Sequence, residues 1–157
     1  MKPVFNESAE KEFKDIISRY QNKRAAMLPT LHLAQREFGW LSREVMGYVG
    51  ELLELPFSDV YDAASFYTMF KLKPTGKYHL QVCHTLSCAL RGAGEICKHL
   101  HQKYGIESGE TSADGKFSVL KVECLGACGT APVVQINDDY HEDLTIDKLD
   151  AVLDKLD

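Results

Sequence analysis

Apolar residues recur every three or four positions along residues 1–73, the period of helices with one buried face. Phe13, Ile16, Ile17 and Tyr20 mark a first helix, with Ser8 placed to cap its start. A second opens at Leu28-Pro29, because proline is tolerated in a first helical turn, and Gly39 is placed to end it. Val45, Met46, Val49, Leu52 and Leu53 form the stripe of a third, capped by Ser42 and stopped by Pro56. Val60, Ala63, Ala64 and Tyr67 form that of a fourth, capped by Ser58. Four short amphipathic helices with short links predict a small bundle, or a layer packed on a neighbour.

The pattern changes after Lys71–Lys77, where Pro74 and Gly76 interrupt any period. This predicts a helical region over 1–73 and a second domain over 77–157. Tyr78-His79-Leu80-Gln81-Val82 alternates as a strand and delivers Cys83 at its end. Residues 91–104 read as a helix, with Ala93, Cys97, Leu100 and Tyr104 along one stripe and Gly105 at its end. Phe117–Glu123 reads as a second strand, again running straight into a cysteine, Cys124. Pro132–Ile136 is a third, and Asn137-Asp138-Asp139 turns it into a short strand at Tyr140. Thr145 caps a last helix that buries Ile146, Leu149, Val152, Leu153 and Leu156. Strand, helix, strand, strand, strand, helix predicts a mixed α/β (α+β) sandwich.

Candidate chemistry concentrates where those strands stop. Cys83-His-Thr-Leu-Ser-Cys88 and Cys124-Leu-Gly-Ala-Cys128 are two short loops, each able to turn two thiolates toward a metal. Residues 89–123 between the pairs suffice for a helix and a strand, so the fold can bring the loops together. Four thiolates from two loops suit either a structural zinc or an iron–sulfur cluster. Spacing alone leaves both open.

The Cys-x4-Cys, the run Cys-Leu-Gly-Ala-Cys-Gly-Thr-Ala-Pro (124–132) and Gly-Glu-Thr-Ser-Ala-Asp-Gly (109–115) narrow the choice. Together with Leu28-Pro29-Thr30-Leu31-His32-x-Ala34-Gln35-x-x-Phe38-Gly39-Trp40, they resemble one family across nearly the whole chain. That family is the thioredoxin-like 2Fe–2S ferredoxin subunit of NADH-quinone oxidoreductase (respiratory complex I). The resemblance implies an N-terminal helical bundle followed by a thioredoxin-like domain with one 2Fe–2S cluster. It implies Cys83 and Cys88 on one iron, and Cys124 and Cys128 on the other. It implies a partner flavoprotein subunit that binds FMN and NADH and exchanges electrons with this cluster, which acts as a side store. The alternatives are the equivalent ferredoxin subunit of an NAD-linked hydrogenase or formate dehydrogenase, and a zinc-stapled interaction module.

Other residues near the loops have assignable roles. Gly126 and Gly129 let backbone N–H groups approach the sulfurs, Thr85 and Ser87 offer hydroxyls, and Arg91 and Lys121 offer positive charge. Solvent contact is the plain alternative for those four polar side chains. A Rieske-type centre needs two histidines on one iron, one per loop, and the second loop has none. His84 is therefore expected to be exposed or to sit behind the ligands. Cys97 is expected to be a buried core thiol. Phe66, Tyr67, Met69 and Phe70 form an aromatic cluster that serves either docking or the helical core, and His32 and Trp40 are expected to be structural.

Composition excludes several classes. The chain has 157 residues, 45% hydrophobic and 26% charged, with 18 basic against 23 acidic residues and a formal charge of −5. No basic run is present, which argues against nucleic acid as the main partner. No apolar stretch approaches a membrane span and no secretory signal is visible, so direct membrane insertion is not expected. Five cysteines without an export signal point to a reducing, cytoplasmic compartment, with peripheral membrane association through partners. Gly92-Ala93-Gly94 begins like a dinucleotide loop but has Cys97 where a third glycine belongs, and neither a phosphate-binding loop nor a Cys-x-x-Cys occurs. The resemblance implies an enzymatic role as part of an oxidoreductase complex, and the missing motifs leave no complete active site expected on this chain.

Overall fold

The computed structural model describes residues 2–156, which divide into two compact units between Pro74 and Thr75. The first unit holds four helices: α1 (Glu7–Ser18), α2 (Met27–Phe38), α3 (Arg43–Leu53) and α4 (Phe57–Phe66), with a 3₁₀ turn at Lys23–Ala26. Asn6, not Ser8, caps α1: its side chain accepts from the Ala9 N–H at 2.9 Å, which leaves Ser8 inside the first turn. Tyr20 lies beyond the end of α1 and is exposed, so it is no part of the buried stripe. Ser42 caps α3 as expected, accepting from Val45 N–H. At α4 the cap position is Pro56, whose fixed φ suits a helix entry, and Ser58 falls within the helix.

Leu31, Leu33, Leu41, Val49, Leu53 and Val60 fill this unit's core. Phe70 joins it, whereas Phe66 is 78% exposed and Tyr67 and Met69 lie at the surface. The expected aromatic cluster is thus divided between core and surface. His32 is exposed and packs its ring on Phe70, and Trp40 is half-buried. Gln35 ties the segment after α4 back to α2, donating to Met69 C=O at 3.0 Å and accepting from Lys71 N–H at 2.6 Å.

The second unit is a four-stranded sheet with helices, built from β1 (Tyr78–Cys83), α5 (Leu86–Leu90), α6 (Ala93–Tyr104), β2 (Phe117–Val122), β3 (Val134–Ile136), β4 (Asp139–His141) and α7 (Ile146–Leu153). Strand order is β2-β1-β3-β4. β1 and β2 are parallel, pairing Leu80 with Val119 and Cys83 with Val122, while β3 and β4 add antiparallel neighbours. Leu80, Val82 and Val119 meet Ile96 and Leu100 of α6 and Leu149 and Leu153 of α7 in one core. These buried apolar residues are the main favourable term holding the helices to the sheet.

The helix expected over 91–104 forms as Ala93–Tyr104, and an unexpected short helix, α5, precedes it. Gly92 adopts φ 103°, a left-handed conformation that ends the short α5 and starts α6 in a new direction. Cys88 therefore sits on a helical turn and not in a loop. At the other end of the chain, Thr145 caps α7 as expected, but the helix stops at Leu153 and Leu156 only packs partly against the core.

α6 and α7 are also clasped by charge. Asp150 accepts from His99 at 2.8 Å and from Lys103 at 2.9 Å, and its carboxyl is held below the usual range first by His99 and then by Lys103. A depressed carboxyl contributes stability above its unfolded pKa and loses it as pH falls through the folded one. Asp150→Asn is accordingly expected to lower the denaturation midpoint at neutral pH. The gap to the native protein should begin to close at about pH 4, where the unfolded carboxyl takes a proton, and vanish below the depressed value at which the native Asp150 does. Paired denaturation curves at several pH values check this.

Candidate metal centre

β1 and β2 end side by side, and a cysteine pair stands at the end of each. Cys83 is the last residue of β1 and Cys88 lies on α5; Cys124 comes just after the end of β2 and Cys128 opens a 3₁₀ turn to Thr130. The strand ends are pinned further by Cys83 N–H to Val133 C=O at 3.3 Å and His84 N–H to Val122 C=O at 3.1 Å. All five cysteines are free thiols.

The four thiols stand as two pairs at the ends of neighbouring strands. Cys124 and Cys128 approach to 3.4 Å between sulfurs, and Cys83 and Cys88 each shift the other's proton affinity. Charge on Cys83 is felt at both Cys124 and Cys128, so the pairs converge on one region. Among the described residues, no three His, Cys, Asp or Glu side chains gather as ligands of a single ion do. The pairs differ in setting: Cys83 and Cys88 are 1% exposed, whereas Cys124 and Cys128 lie at the surface.

Donors around the sulfurs favour the anionic form of one thiol in each pair. Burial pushes the Cys83 thiol up, but the Thr85 hydroxyl and the Leu125 and Thr85 amides outweigh it and leave the thiol below its ordinary value. Burial, then the neighbouring Cys83, raise Cys88. Cys124 is lowered first by the Gly126 N–H, 3.4 Å from its sulfur, and Cys128 is raised by Cys124 beside it. Gly126 can point its amide inward because it adopts φ 83°. Of the two hydroxyls singled out in the sequence, Thr85 lies 3.3 Å from the Cys83 sulfur, and Ser87 opposes the upward shift of Cys128.

The charged candidates have their nearest partners elsewhere, at Ala131 and Asp143 for Arg91 and at Cys97 for Lys121. Arg91 turns its Nε to Ala131 C=O at 2.6 Å, which clamps the end of α5 to the segment after Cys128. Lys121 lies near Cys97 and favours its anion, against a larger upward push from burial. Cys97 is half-buried and not enclosed: it lines an open groove of about 500 Å³ with Lys98, His101 and Lys121. His84 is exposed and faces Glu123 at 3.5 Å. The sequence reading missed Tyr140, whose hydroxyl donates to Leu125 C=O at 3.1 Å across the strand ends. A tyrosine on a separate strand gives no local sign of that contact.

The profile of the thioredoxin-like [2Fe-2S] ferredoxin family matches residues 13–157. The chain belongs to this family. Among its relatives, a NADH-quinone oxidoreductase subunit of Rickettsia bellii is 53% identical over 91% of this chain and 87% of its own. One from Rhizobium meliloti is 43% identical over 91% and 85%. Among solved structures, an NAD+-reducing [NiFe]-hydrogenase in the air-oxidized state is similar, with TM-score 0.72 and 25% identity. That match covers 83% of this chain but only 22% of the hydrogenase chain. Membership implies one 2Fe–2S cluster, and the donor set fits it: four thiols, paired two and two, with amide and hydroxyl donors aimed at them.

Replacing Cys83, Cys88, Cys124 or Cys128 by Ser is therefore expected to abolish or alter the 2Fe–2S signal in electron paramagnetic resonance of the reduced protein. Cys97→Ser should keep that signal and cost no more than about 1–3 kcal/mol of stability. A lost signal in Cys97→Ser with a normal one in Cys124→Ser would sink the assignment.

Proposed function

We propose that this chain is the electron-transfer subunit of an NADH-quinone oxidoreductase, with its 2Fe–2S cluster on Cys83, Cys88, Cys124 and Cys128. Its partner on this reading is a flavoprotein subunit that binds FMN and NADH. The observation that carries the reading is the convergence of two thiol pairs at the ends of paired strands. The 53% identity to the Rickettsia bellii oxidoreductase subunit, over 91% of the chain, supports the choice of complex.

Bound there, a 2Fe–2S cluster supplies the storage of one electron. The chain's own residues hold and tune it. β1 and β2 fix the cysteine positions, Gly126 N–H and Leu125 N–H favour the thiolate forms, and the buried Cys83–Cys88 side keeps water away. The exposed Cys124–Cys128 side leaves an approach for a redox partner. Beside it, Leu86 and Leu90 are 76% and 79% exposed, one turn apart on the helix that carries Cys88. Apolar side chains left so open next to a redox site suit burial against the flavoprotein. No described helix is long and apolar enough to cross a membrane, so attachment on the cytoplasmic side would come through the complex.

A second reading, the corresponding subunit of an NAD-linked hydrogenase, is favoured by the likeness to the NAD+-reducing [NiFe]-hydrogenase. The chemistry of the chain is the same in either complex, and the proteins that co-purify with it separate the two.

Hydride transfer from NADH moves two electrons together, so a flavin must stand between NADH and a one-electron centre. The purified chain should bleach with dithionite and keep its visible spectrum with NADH, until the flavoprotein is added. Rapid bleaching by NADH of the flavin-free chain would overturn the proposal. Leu86→Glu with Leu90→Glu should weaken binding to the flavoprotein by roughly tenfold or more, since two apolar contacts are lost. Titration of the isolated subunits by calorimetry checks it.

A further inference from the structure

Each cysteine pair has a donor held close to one of its sulfurs. Thr85 stands two residues after Cys83, with Oγ1 3.3 Å from Cys83 Sγ. On the opposite loop the Gly126 amide donates to Cys124 Sγ at 3.4 Å. Leu125, the residue before that glycine, is held from outside, because its carbonyl accepts the Tyr140 hydroxyl at 3.1 Å. Tyr140 belongs to β4, at the far edge of the sheet from β2, so this tie bridges the sheet's edge strand to the metal loop.

We infer that Thr85 and Tyr140 are positioning residues for the cluster: Thr85 holds its O–H against the sulfur of Cys83, and Tyr140 anchors the loop whose Gly126 amide donates to Cys124. The inference rests on the ligand assignment proposed above. Each donor's positive end sits where a sulfur gains negative charge on reduction. With four thiolates the cluster goes from about −2 to about −3, and a donor to sulfur stabilises the more negative state more. Loss of the Thr85 O–H therefore disfavours reduction. The Gly126 amide acts in the same sense, and its aim depends on the tie from Tyr140 to Leu125, the residue before it.

The test uses the full chain with its cluster and reads the midpoint reduction potential by redox titration, with the g values of the reduced state and the rate of cluster loss to a chelator. Thr85→Val keeps the side chain's shape and removes the hydroxyl, and should shift the potential to more negative values; Thr85→Ser should restore it. Tyr140→Phe should give a smaller negative shift and faster loss to the chelator. Thr85→Val with full cluster content and unchanged potential and g values would overturn the role of Thr85. If Thr85→Val assembles no cluster, Tyr140→Phe decides: an unchanged potential and unchanged chelator rate overturn the positioning role. Failure of the ligand assignment shows separately, as a retained 2Fe–2S signal in a Cys→Ser variant of the four.

Discussion

The parallel pairing of β1 with β2 is the constraint from which the site follows. Two cysteine motifs separated by residues 89–123 meet only because their strands lie side by side and end at the same level, Cys83 opposite Val122. A parallel pair cannot be joined by a tight turn, so α5 and α6 carry the chain back along the sheet. That return packs Ile96 and Leu100 onto Leu80, Val82 and Val119. The core that stabilises the sheet is thus also the frame that brings the second pair of thiols to the first.

The same frame divides the work between burial and exposure. Cys83 and Cys88 lie among apolar neighbours, where their sulfurs need donors from the backbone and from Thr85. Cys124 and Cys128 sit at the surface, where the loop must shape itself, through Gly126 and the tie from Tyr140. Arg91 completes the arrangement by joining α5 to Ala131, so the segment after Cys128 is fixed to the helix that carries Cys88.

Most of the fold and the candidate ligands were legible because their signals are local. Alternation from Tyr78 to Val82 and from Phe117 onward marks strands, and a cysteine beyond each strand marks a site held by the sheet. Ser42 and Thr145 read correctly as caps since each has an apolar stripe starting just after it. Ser8 and Ser58 misled because Asn6 and Pro56, two residues earlier, serve the same end by a side-chain acceptor and a fixed φ. The short α5 escaped notice because five residues are too few to show a helical period, whereas the stripe through Cys97 marked α6 correctly. Tyr140, Arg91 and Lys121 were illegible for a different reason. Their partners, Leu125, Ala131 and Cys97, are set by tertiary packing, and no spacing rule connects them.

The unequal exposure of the two thiol pairs gives the centre a direction. Anything that comes from solvent meets Cys124 and Cys128 first, whether iron and sulfide during assembly or a peroxide during stress. On the proposed ligand set, assembly and decay share one doorway, on the Cys124–Cys128 side. A protein that closes over that doorway protects the centre by shielding alone, without supplying any ligand of its own.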